Sequence, residues 1–159
     1  MMKLKTLSLK VILALAAVVI GMFALMLFWR LPATLMRDYH HAGSAWVMTI
    51  GIYVTVLCFF GAIGYAWQLL RRVDTNTAFS WVAVKNLRHL KWATTGMTIG
   101  LIGIMPEFYV MAQFEDAPGL CLIGSGIVAL PLMVTIFLAV LQELWTKALM
   151  YKAENDLTI

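Results

Sequence analysis

Glu107 is the residue whose type and position most invite chemistry. It follows Pro106 inside an apolar stretch. A carboxylate surrounded by hydrocarbon must face a partner, the interior of a bundle, or water. Proline at 106 frees a backbone carbonyl one turn earlier and favours a kink. Two readings follow. Glu107 is either a ligand or proton site near the outer leaflet, or a carboxyl hydrogen-bonded to a neighbouring helix. Tyr53, Thr49 and Ser125 stand at matching depths for the second role.

Asp38, His40 and His41 carry metal-ligand chemistry. A closed structural site needs about four ligands at fixed spacing, so this cluster reads instead as a wet group at the headgroups. No metal or other cofactor is implied. Cys58 and Cys121 fall at depths too far apart for a disulfide and read as small packing residues. No nucleophile–base set, GxSxG elbow, glycine-rich phosphate loop or His–Glu zinc motif is legible. The expectation is a protein that is not an enzyme.

The elements that must position these residues are set by hydropathy. Of 159 residues, 62% are hydrophobic, and the mean hydropathy is +0.87. A soluble domain is about half apolar. The excess sits in four runs, about 11–29, 45–70, 92–114 and 119–141. Each is long enough for a hydrocarbon core of roughly 30 Å. Backbone groups in lipid must pair within their own segment, so all four runs are predicted to be helices. The first run is too long for the apolar core of a signal peptide, and an uncleaved anchor is expected. Residues 1–159 thus read as one domain, an all-α integral membrane four-helix bundle.

Charge fixes the expected orientation. With the N-terminus inside, the inner segments hold ten of the twelve Lys and Arg residues: Lys3, Lys5, Lys10, Arg71, Arg72, Lys85, Arg88, Lys91, Lys147 and Lys152. Only Arg30 and Arg37 lie outside. That bias puts both termini in the cytoplasm. It also accounts for the net charge of +4 without nucleic acid, and no direct nucleic-acid binding is expected. Trp29 and Trp46 fall at one interface; Trp67, Trp81, Trp92 and Trp145 fall at or near the other, where indole rings prefer to sit.

Between the second and third runs, Asp74–Thr77 reads as a turn and Ser80 as a helix N-cap. A short cytoplasmic amphipathic helix is predicted next, leading directly into the third span. It places Ala83, Val84, Leu87 and Leu90 on one face and Lys85, Arg88 and His89 on another, a pattern suited to an anionic lipid surface. The brief link Glu115–Pro118 makes the third and fourth spans antiparallel neighbours. Gly96, Gly100 and Gly103 form a small-residue stripe, and Ala17 with Gly21 a second. Packing inside the bundle is the default role for such stripes, with a homodimer through one face as the alternative. Pro131 predicts a further kink. No internal repeat points to an inverted-topology transporter.

Three segments resemble a known family: Asp74-Thr75-Asn76-Thr77-Ala78-Phe79-Ser80 with the following Leu87-Arg88-His89-Leu90-Lys91; the turn Glu115-Asp116-Ala117-Pro118-Gly119; and the tail Ala153-Glu154-Asn155-Asp156-Leu157-Thr158-Ile159. Together they are similar to the bacterial membrane family called domain of unknown function 2975. The resemblance covers nearly the whole chain. It implies a multi-pass protein of the bacterial cytoplasmic membrane with no assigned activity. Members are often found beside a small helix-turn-helix regulator, which implies such a regulator as a partner.

The function expected first is therefore a regulatory or binding module in the lipid bilayer. Its cytoplasmic docking surface would comprise Asp74, Phe79, Ser80, Lys85, Arg88, Lys91, Glu154, Asn155 and Asp156. The alternative is an oligomeric small-molecule transporter or sensor, or an immunity-type membrane protein, using an outer-leaflet site at Glu107, Tyr53 and Ser125.

Overall fold

The computed structural model describes residues 2–38, 42–75 and 80–156, with side-chain surroundings over 6–26, 46–75 and 80–155. It is built of four helices: α1 (Met2–Asp38), α2 (Ala42–Asp74), α3 (Trp81–Phe114) and α4 (Gly119–Asp156). All four are long and apolar enough to cross a membrane. At about 1.5 Å per residue, the 38 residues of α4 extend about 57 Å, well beyond a hydrocarbon core. The excess lies at the end carrying most of the Lys and Arg residues, here termed the basic end.

The helices pack as a row in chain order. α2 contacts α1 and α3, and α3 contacts α4; among the described residues no other pair of helices meets. α1 is attached only through α2, and none of its membrane-length stretch is buried within the protein. Such openness suits lipid, because acyl chains solvate leucine as well as another leucine does, so apolar faces need no protein cover. What joins the helices instead is close approach and a few polar ties. Thr135 donates to Thr94 across α3 and α4 at 2.9 Å. Lys10 of α1 forms an ion pair with Asp74 at the end of α2.

The α3–α4 corner is built from a left-handed residue. Asp116 has φ 50°, a conformation aspartate tolerates better than most side chains. The Ala117 N–H then reaches back to the Ala112 carbonyl at 3.0 Å, the long bond of a Schellman stop. Pro118 follows and α4 begins at Gly119. Both α3 and α4 continue as helix through Pro106 and Pro131.

The predicted amphipathic helix differs in one respect: it is no separate element. Ser80 caps it, accepting from the Ala83 N–H at 3.2 Å, but the helix that starts there is α3 itself. Its apolar face is turned into protein rather than onto lipid. Ala83 and Leu87 are 0% exposed, and Val84, Leu70 and Leu149 are buried with them at the basic end. His89 stacks on Tyr65 of α2, ring centroids 5.2 Å apart. The physical reason is the length of α2 and α4. Both continue past the apolar runs, so protein is available to cover a face that would otherwise seek lipid.

Candidate functional site

Glu107 is positioned by a stripe of α3 that begins at Gly100. A Cβ on Gly100 would lie 2.5 Å from the Thr55 Oγ1 and 3.0 Å from the Gly51 carbonyl oxygen. One on Gly51 would lie 2.7 Å from Ile104. Gly100, Ile104 and Glu107 follow each other at spacings of four and three residues, so they share the face that meets α2. Glu107 thus enters the α2–α3 seam two turns beyond its tightest point at Gly100, and it is only 7% exposed. Among the described residues no group donates a hydrogen bond to its carboxyl.

Of the neighbours proposed for it, Thr49 is buried and Tyr53 half-buried, both on α2, and each has an interaction of its own. Ser125 is not brought to Glu107. Its side chain is exposed and its hydroxyl donates to the Cys121 and Leu122 carbonyls of its own helix, both at 2.9 Å. Short hydroxyl side chains in helices commonly settle this way.

The glycine stripe divides. Gly96 and Gly100 both lie against α2; a Cβ on Gly96 would fall 2.6 Å from the Cys58 sulfur. Gly103 has open space around it. Gly21 of α1 would place a Cβ 3.4 Å from Phe60, an ordinary contact. A further close approach, absent from the sequence reading, lies between α4 and α3, where Gly124 faces Met105 and Phe108. Its signal was present as Gly124-x-Gly126, but glycine alone does not say which face is used.

At the basic end the proposed docking residues take unequal roles. Asp74 is engaged by Lys10 and Ser80 caps α3. Lys85 and Arg88 are exposed and Lys91 is half-buried. Glu154 and Asn155 lie exposed on the last turn of α4. Phe79, His40 and His41, and the side chains of Asp38 and Asp156, lie outside the described residues. Among the described residues no three His, Cys, Asp or Glu side chains cluster as a metal site.

Two polar atoms not singled out from the sequence stand out here. The Asn86 Nδ2 of α3 and the Gln142 Oε1 of α4 are both buried without a hydrogen-bond partner. The available signal was Asn86's position among Ala83, Leu87 and Leu90, on the apolar side of a helix whose lysine and arginine point elsewhere.

Four membrane-length helices, a seam of small residues and, among the described residues, a single buried carboxyl define a multi-pass membrane protein. The chain belongs to the family described as protein of unknown function DUF2975, which matches residues 34–159. It is also similar to the uncharacterized membrane protein YoaS of Bacillus subtilis (strain 168), with 39% identity over 114 residues, 72% of this chain and 71% of that one. No solved structure matches it.

Proposed function

We propose that the protein is a non-enzymatic regulatory module of the bacterial cytoplasmic membrane. Its basic end faces the cytoplasm and docks a soluble partner such as a small helix-turn-helix regulator. The observation that carries this reading is the length of α4. It continues fourteen residues beyond Gln142, about 21 Å, to Asp156. Over that projection Leu144, Met150 and Tyr151 are 58%, 52% and 68% exposed. In this orientation Met150 and Tyr151, more than a turn past the interfacial Trp145, meet water rather than lipid, and large apolar side chains in water mark binding surfaces. Lys85 and Arg88 add exposed positive charge on the projecting start of α3.

The test is co-purification of the full-length protein with a co-expressed helix-turn-helix regulator, in wild type and in a Leu144→Glu/Met150→Glu/Tyr151→Glu variant. Retention by wild type and loss in the variant are the expected outcome. Equal recovery from both, or none from either, would refute docking at this surface.

A second reading, transport or sensing through an oligomer, is favoured by the buried carboxyl of Glu107. It makes a separable prediction. If the carboxyl serves only function, Glu107→Leu should leave stability within about 1 kcal/mol of wild type or raise it, because a mostly buried carboxyl is removed. Thermal unfolding in detergent measures this. A clear drop in stability would mean that the carboxyl is structural, and the sensing reading would lose its support.

A further inference from the structure

All four helices line one groove of about 660 Å³ on the concave side of the row. It is apolar along its length. Thr55 and Thr94, which also border it, have their hydroxyls engaged with the Gly51 carbonyl and with Lys91 and Thr135. Because α1 and α4 do not meet, the groove opens sideways between them. Along α3 it runs from Leu90 to Leu101, about 16 Å.

One turn past the groove's lining residues at the basic end, α3 and α4 each carry a polar side chain. On α3 its lining row of Leu90, Thr94, Met97 and Leu101 continues one turn back to Asn86. On α4 the row through Val134 and Leu138 continues one turn on to Gln142. The Thr94–Thr135 bond sets the register between these antiparallel helices. Counting eight residues back from Thr94 and seven on from Thr135 brings Asn86 and Gln142 to the same level within about 1.5 Å. On α1, the turn before Leu13 carries Lys10, held by Asp74.

Asn86 Nδ2 lacks an acceptor and Gln142 Oε1 lacks a donor, and Asn86 is only 7% exposed. Turning either amide over exchanges the roles but keeps the demand for hydrogen-bonding partners. A hydroxyl can donate to one and accept from the other. Lys85, Arg88 and Lys91 flank Asn86, so the pair stands at headgroup level.

We propose that the groove is a binding site for a membrane lipid with a free hydroxyl in its headgroup. The acyl chain lies in the groove and the hydroxyl between Asn86 and Gln142. The proposal is independent of partner docking on the α4 projection.

The test is native mass spectrometry of the full-length protein in mild detergent. Phosphatidylglycerol, which carries headgroup hydroxyls, is titrated against phosphatidylcholine of the same acyl chains, which carries none. The wild type is expected to bind one phosphatidylglycerol per chain about tenfold more tightly, the worth of two net hydrogen bonds. Asn86→Leu and Gln142→Met should each erase that preference while keeping chain-dependent binding of both lipids. Should Asn86→Leu fail to fold, Gln142→Met, unbranched and of similar length, carries the comparison. Equal binding of the two lipids by wild type would overturn the proposal, as would a preference that survives substitution. The first result would mean that a trapped water bridges the amides. A lipid-free dimer as the sole species would likewise overturn it, assigning the groove to a second copy.

Discussion

Replacing Gly100 with leucine should leave little folded protein to extract from the membrane. The α2–α3 crossing is set by backbone meeting backbone. A Cβ at position 100 would stand 2.5 Å from the Thr55 hydroxyl oxygen, 3.3 Å from its backbone nitrogen and 3.0 Å from the Gly51 carbonyl oxygen. The hydroxyl is not a loose end that swings aside, for it is bonded to the Gly51 carbonyl at 2.8 Å. Two of the three obstacles are main chain. Relief requires the helices to separate, which opens the seam from Cys58 to Ile104 and loses the close contacts that stand in for the hydrophobic effect within lipid. Overpacking a soluble core costs about 1–3 kcal/mol. Here a four-carbon side chain meets backbone, and the loss should reach or pass the top of that range. Gly103→Leu is the matched control, since nothing lies within 4 Å of a Cβ there. The yield of monodisperse protein in detergent, with its thermal midpoint, compares the two. Equal behaviour of both variants would show that the seam is not held by small residues.

Leu87→Ala should destabilise the protein by about 2–5 kcal/mol, the loss associated with truncating a fully enclosed leucine. Among the described residues Leu87 is the largest side chain that is completely buried, and most of their apolar groups face outward. It lies at the basic end with Ala83, Val84, Leu70 and Leu149. In the orientation proposed above this cluster is beyond the hydrocarbon, where burial from water contributes fully. A leucine facing lipid has no comparable role. Met133→Ala or Phe137→Ala on the outward side of α4, 66% and 64% exposed, should therefore change stability little, because lipid chains fill the space. Denaturant or thermal unfolding of the three variants in one detergent gives the comparison. A loss at Leu87 no larger than that at Phe137 would mean that the basic-end cluster is not a core.

Much of this arrangement was legible in the residues. Four apolar runs gave the helices, since a backbone in lipid has few ways to satisfy its N–H and C=O groups. Ser80 as a cap and the brief Glu115–Pro118 link were readable because capping and short turns are decided by neighbours in the chain. Gly96 and Gly100 announced a close approach. The sequence left open what they approach, and it grouped them with Gly103, which approaches nothing. Ser125 shared a depth with Glu107 but not a direction, because depth follows from hydropathy whereas direction depends on how two helices are rotated against each other.

The sequence by itself determined the solvent of each segment: hydrophobic length and the uneven placement of Lys and Arg depend only on which residues are present and in what order. The tertiary structure alone decided that the helices stand in an open row, that the start of α3 turns its apolar face to protein, and that Asn86 and Gln142 share a level. These are matters of helix rotation and register. They are fixed by contacts only a few ångströms wide between residues far apart in the chain, forty-nine positions at Gly51 and Gly100, and hydropathy along the chain carries no record of them.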